Sequence, residues 1–164
     1  MSITFNADEI FEMAEEIERN AARLYRQGVK SAADAKVKEM FLKLAAMEDK
    51  HLTTFRLMRE ELSENEKKQM VFDPDNEATM YLRTMAERRG TEGKKSVTEM
   101  PTGKETVEQL LETAINAEKD SIVFYVSLKD LVPSEAGRDK VEDIIKEELS
   151  HLIILKQQLT VLKP

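Results

Sequence analysis

The stretch Glu48-Asp49-Lys50-His51 returns 100 positions later as Glu148-Leu149-Ser150-His151. The same offset relates Glu18 to Glu118 and Tyr25 to Tyr125. It also relates the apolar pairs Phe11/Leu111, Ala14/Ala114, Leu44/Ile144 and Leu52/Leu152. The chain therefore reads as two copies of one unit. Around each Glu-x-x-His the apolar residues recur at steps of three and four, which places them on one face of a helix.

Four long helical patterns follow from that periodicity. The first is predicted to begin near Asn6, with Glu9 as its capping-box partner, and to end near Gly28. Its inward stripe is Phe11, Ala14, Glu18, Ala21 and Tyr25. The second is predicted over 31–62, with Val37, Phe41, Leu44, Glu48, His51, Phe55 and Met58 inward. The third starts after Thr102, with Glu105 as capping partner, and carries Val107, Leu111, Ala114, Glu118, Ser121, Tyr125 and Leu128. Pro133 and Ser134 interrupt the chain. The fourth then presents Val141, Ile144, Glu148, His151, Leu155 and Leu159.

Residues 60–68 read as a solvated helix end and loop. Within the long connection 63–103 a short helix over 75–88 is expected, with Tyr81, Leu82 and Met85 on its apolar side. Tight turns join the first helix to the second and the third to the fourth, so each pair forms an antiparallel hairpin. The predicted fold is all-α, a four-helix bundle of two repeated hairpins with one long crossover, which is the topology of ferritin-like folds. At 164 residues, a single domain over 1–164 is expected.

Composition narrows the function. Hydrophobic residues make up 41% and charged residues 35%, with few Gly and Pro, a mix suited to long amphipathic helices. The formal net charge of −7 argues against nucleic acid as a partner and against a basic membrane-surface helix. No apolar run is long enough to span a bilayer. Residues 1–7 lack a basic region followed by an apolar stretch, so a cytoplasmic location is expected. Cysteine is absent, which excludes disulfides, thiolate catalysis and Cys-ligated zinc or iron–sulfur sites. Any metal in this sequence must sit on oxygen and imidazole nitrogen.

The inward stripes carry acids where a plain bundle would have Leu or Ile. An unpaired buried carboxylate costs several kcal/mol, and several together repel one another. Such a group must protonate, find cations or bind metal, and no Lys or Arg occupies the stripes beside these acids. Two divalent ions would balance Glu18, Glu48, Glu118 and Glu148. One Glu from each of two helices, plus Glu-x-x-His from each of the other two, is the ligand set of carboxylate-bridged di-iron and di-manganese bundles. Hard carboxylates with one imidazole per metal suit iron or manganese, and zinc can occupy such a set. A lone Glu-x-x-His usually marks a solvated face. Here both His of the chain lie in that motif, and each has an inward Glu 33 residues upstream. An inward Tyr can be plain core packing. Tyr25 and Tyr125 are instead expected to hydrogen-bond to a ligand carboxylate.

These motifs, Ala14-(x3)-Glu18-(x6)-Tyr25 with Glu48-x-x-His51 and Ala114-(x3)-Glu118-(x6)-Tyr125 with Glu148-x-x-His151, resemble the rubrerythrin-like branch of the ferritin-like superfamily. The resemblance covers nearly the whole chain. It implies a non-haem di-iron centre that reacts with peroxide or dioxygen. By the resemblance, Glu48 and Glu148 bridge two iron ions, Glu18 with His51 completes one, and Glu118 with His151 the other. The implied activity is an oxidoreductase that reduces hydrogen peroxide or dioxygen with electrons from a separate donor protein. The alternative is an iron-handling ferroxidase or storage-type protein. A homodimer is expected.

Two departures stand out. True rubrerythrins carry a Cys-ligated rubredoxin domain, and this sequence has no Cys. They also carry an extra Glu one turn after the third-helix ligand. Here that position is Ser121, paired in the repeat with Ala21. The remaining six-residue set is more like that of bacterioferritin, and it leads to the expectation of a near-symmetric site.

Overall fold

Each long helix starts on a side chain that satisfies its free N–H groups. Asn6 accepts from the Glu9 N–H while Glu9 accepts from the Asn6 N–H, a complete capping box that opens α1 (Ala7–Ser31). Asp34 accepts from the N–H groups of Lys36 and Val37 and opens α2 (Ala35–Glu61). The short α3 (Glu64–Lys68) follows. Thr106 and Gln109 form the capping box of α4 (Val107–Leu131), and Ser134 caps α5 (Glu135–Leu162). The computed structural model describes residues 6–68, 80 and 102–163. The helix expected over 75–88 lies, Met80 apart, outside the described residues.

Several predicted boundaries move, each for a local reason. Helix α1 runs past Gly28 to Ser31, because Gly28 is a packing residue and not a terminator. A Cβ there would lie 2.7 Å from the buried Phe41 ring, so only glycine lets α1 and α2 approach this closely. Ser31 consequently ends α1 instead of starting α2, and Asp34 takes the cap. Thr102 and Glu105 do bond to each other, but Gly103 has φ of 86°, which no right-handed helix can continue. The helix waits for the next pair, Thr106 and Gln109. Within 60–68, residues 64–68 form α3, which buries no side chain. Ala21, Val107 and Leu159 are half-buried, not fully inward.

The fold is the all-α, ferritin-like helical bundle that the periodicity predicted. Helices α1 and α2 pair as one hairpin, α4 and α5 as the other. The apolar core falls into two clusters, one at each end of the bundle. Ile10, Phe11 and Ala14 of α1 meet Phe55 and Met58 of α2, Phe124, Tyr125 and Leu128 of α4, and Val141 and Ile144 of α5. At the other end Leu24 and Tyr25 meet Phe41 and Leu44, Leu110 and Leu111, and Leu155. The start of α1 thus packs beside the end of α4, so these two helices are antiparallel. Helix α2 ends at the first cluster and α4 begins at the second.

The gap between the clusters is polar. Glu18, Glu48, His51, Glu118, Glu148 and His151 all sit there, each at most 3% exposed. No helix among the described residues is long and apolar enough to cross a membrane.

Candidate metal centre

The four long helices each deliver one level of the polar layer. Glu18 lies one helical turn beyond Ala14 in α1, and Glu118 lies one turn beyond Ala114 in α4. Glu48 and His51 share a face of α2, as Glu148 and His151 do in α5. All six sequence-predicted residues come together. Glu18, Glu48, His51 and Glu148 offer ligand atoms within 4.8 Å of one another, and so do Glu48, Glu118, Glu148 and His151.

Glu48 and Glu148 belong to both groups, and they divide their oxygens between them. His51 Nδ1 lies 3.2 Å from Glu48 Oε2, 2.9 Å from Glu148 Oε1 and 3.6 Å from Glu18 Oε2. His151 Nδ1 lies 3.1 Å from Glu48 Oε1, 3.1 Å from Glu148 Oε2 and 3.5 Å from Glu118 Oε1. One imidazole N–H cannot serve three carboxylates, so these atoms converge on a point that wants a multivalent partner. Glu48 Oε1 and Glu148 Oε1 are buried and, despite their nearness to the imidazoles, lack hydrogen-bonding alignment with any donor. Orphaned buried acceptors are costly, and a cation satisfies them. None of the four acids forms an ion pair with Lys or Arg among the described residues. The donor set of carboxylates and imidazole Nδ1 fits a pair of hard or borderline metal ions, with two pockets sharing two carboxylates.

The two imidazole rings stack across the centre, with centroids 5.8 Å apart and planes 21° from parallel. The tyrosines cross between hairpins. Tyr25 Oη donates to Glu118 Oε1, and Tyr125 Oη donates to Glu18 Oε1. Burial, followed by the charges of Glu118 and Glu18 respectively, pushes both phenols well above their ordinary range, so both keep their protons.

Without metal the cluster shares protons. Burial, reinforced by the charges of Glu148 and Glu48 and opposed by the nearby His51 imidazole, raises Glu18 well above the usual carboxyl range. Burial and the contact with Glu148 raise Glu118 likewise, with His151 opposing. Burial works against the charge of Glu148, but its contacts with Glu118, His151 and His51 outweigh that and hold it well below the usual range. Burial also disfavours the imidazolium forms. Contacts with Glu148, Glu18 and Glu48 nonetheless hold His51 far above its ordinary value, and contacts with Glu118, Glu148 and Glu48 push His151 up to about 12. The imidazolium protons therefore occupy Nδ1, the position a metal would take.

Behind the rings lie two residues that the sequence reading did not single out. His51 Nε2 donates to Glu147 Oε2 at 2.7 Å. His151 Nε2 meets Met47 Sδ at 3.4 Å. These are equivalent positions of the repeat. An acid directly before Glu148 was visible in the sequence, but its mate at 47 is Met, so the repeat gave no signal there.

A family model described as Rubrerythrin matches residues 9–159. The chain belongs to the rubrerythrin family. Among solved structures, this rubrerythrin-family chain is similar to a Thermotoga maritima protein described as ferritin-like and diiron-carboxylate. The two are 25% identical, with a TM-score of 0.73 over 96% of each chain. No curated protein matches the chain.

Proposed function

We propose that this chain is a non-haem di-iron oxidoreductase that reduces hydrogen peroxide or dioxygen with electrons from a separate donor protein. The observation that carries the reading is the division of Glu48 and Glu148 oxygens between two His-bearing pockets. Two pockets that share two carboxylates suit two ions held close together. Glu18 and His51 would complete one pocket, Glu118 and His151 the other. The diiron-carboxylate description of the Thermotoga protein supports the choice of iron. When bound, a pair of iron ions supplies two electrons for the reduction of an O–O bond.

The chain's own residues do the rest. Tyr25 and Tyr125 fix the orientation of Glu118 and Glu18 and hold their phenolic protons at Oη. Phe55 packs 5.0 Å from Tyr125 and Phe41 packs 6.2 Å from Tyr25, ring centre to ring centre. These apolar layers exclude water from both ends of the polar slab and so strengthen the electrostatics within it. Glu147 Oε2 holds the His51 Nε2–H, which leaves the Nδ1 lone pair to point inward once its proton departs.

The test is anaerobic loading with ferrous iron, followed by optical spectra on adding peroxide and, separately, oxygen. Two irons per chain, rapid oxidation and repeated cycles with an added reductant are expected. Iron accumulating as a ferric mineral beyond the two pockets would favour the storage reading instead. Loading that leaves both oxidants untouched would sink the oxidoreductase reading.

A further inference from the structure

The repeat makes this protein its own control. Equivalent residues surround the two pockets almost everywhere. Glu18 accepts from Tyr125 and Glu118 accepts from Tyr25, and both bridging acids serve both sides. Ser121 faces Ala21 in the repeat, but its hydroxyl donates to the Ala117 carbonyl at 2.8 Å and is occupied there. What differs is the group behind each imidazole: a carboxylate behind His51 and a thioether behind His151.

We propose that the two metal pockets are inequivalent, and that the Glu18–Glu48–His51–Glu148 pocket, backed by Glu147, takes the first ion. The inference rests on reading the cluster as a two-metal site. A carboxylate on Nε2 accepts that proton, fixes the tautomer whose free Nδ1 faces the pocket, and makes the ring a stronger donor to metal. A thioether is a weak acceptor and does little of this. Outer partners of metal-bound His typically change affinity by about 10- to 100-fold. The lower end applies here, because the Glu147 side chain is 33% exposed and its other oxygen lies 3.6 Å from Lys50 Nζ. The repeat equivalent of Lys50 is Ser150, so the second hairpin has no cation at that position. The near-symmetric site expected from Ser121 and Ala21 therefore gives way to an ordered one.

The chain has two His, so each imidazole gives a separate and assignable signal. The metal-free protein, labelled with nitrogen-15 at His, is titrated with zinc(II) and followed by imidazole NMR. Signals are assigned with His51→Gln and His151→Gln. In the wild type, His51 signals should complete their shift within the first equivalent and His151 signals within the second. The double swap Met47→Glu with Glu147→Met should reverse that order. Met47→Glu alone should bring the two into step. If both imidazoles shift together in the wild type, or if the swap leaves His51 first, the inference is overturned while the two-metal reading stands. If zinc shifts neither imidazole, both fall. The wild-type titration decides the question even where a swapped variant does not fold.

Discussion

At the scale of single residues, the tyrosine bonds tie the two halves of the chain together. Tyr125 comes from the second hairpin and its acceptor, Glu18, from the first. Removing the hydroxyl leaves a fully buried carboxyl group without its donor. A buried polar group stripped of its partner costs about 1–3 kcal/mol. Tyr125→Phe keeps the ring against Phe55 and Phe124, so packing loss is small. It should therefore lower apo stability by about 1–3 kcal/mol in urea denaturation and weaken metal binding by about tenfold. A variant as stable and as tightly metal-binding as the wild type would show that the hydroxyl orients nothing. The sequence pointed to these tyrosines through the repeat. It could not show that each serves the opposite hairpin, because that depends on how the two hairpins face each other. Glu147 escaped notice for a related reason: its significance lies in a contact between α5 and α2, and its repeat mate is Met47.

At the scale of elements, helix type and face were readable because apolar steps of three and four extend over many turns. Helix ends were less so. The pairs Thr102/Glu105 and Thr106/Gln109 both satisfy a capping pattern, and only the backbone at Gly103 decides between them. Gly28 looked like a terminator because glycine often is one. Its actual role is the close approach of α1 to α2 over Phe41. Two effects oppose each other in Gly28→Ala. Helix propensity favours Ala by about 1 kcal/mol. Overpacking against a core ring costs about 1–3 kcal/mol, and Phe41 is wholly buried, so it has little room to yield. Overpacking should win, with a lower thermal midpoint and a shift in near-ultraviolet aromatic signals. A stabilised Gly28→Ala would mean that the hairpin relaxes at no cost. Gly137 shows the same logic at the start of α5, where a Cβ would lie 2.6 Å from Val132 Cγ1.

At the scale of the whole molecule, the bundle is two apolar plugs with a proton-sharing layer between them, and that layer couples stability to pH and to metal. His51 and His151 titrate above their ordinary value of 6.5 in the folded apo protein. A group raised in this way binds its proton more tightly folded than unfolded. Its contribution is complete below about pH 6.5 and is lost as pH climbs toward the folded value, about 12 for His151. Glu18 and Glu118, also raised, act in the same direction from 4.5 upward. Glu148 is depressed, so its contribution is present above 4.5 and fades as pH falls through its folded value. Apo stability should therefore decline between about pH 6 and pH 8, the range across which an unperturbed His gives up its proton while the folded imidazoles keep theirs. Metal binding runs the other way, because the ion takes Nδ1 and releases its proton, so affinity grows with pH. The gain in melting temperature on adding zinc should thus be larger at about pH 8 than at about pH 6. The combined variant Glu48→Gln with Glu148→Gln supplies the control. It removes the shared carboxylates, so it should bind no metal, remain helical, and lose most of the pH dependence of the apo form. Calorimetry of both proteins at the two pH values, with and without zinc, measures all of this at once. A zinc-induced gain that shrinks as pH rises, or one that the double variant retains, would mean that the ion binds elsewhere than in the layer between the plugs.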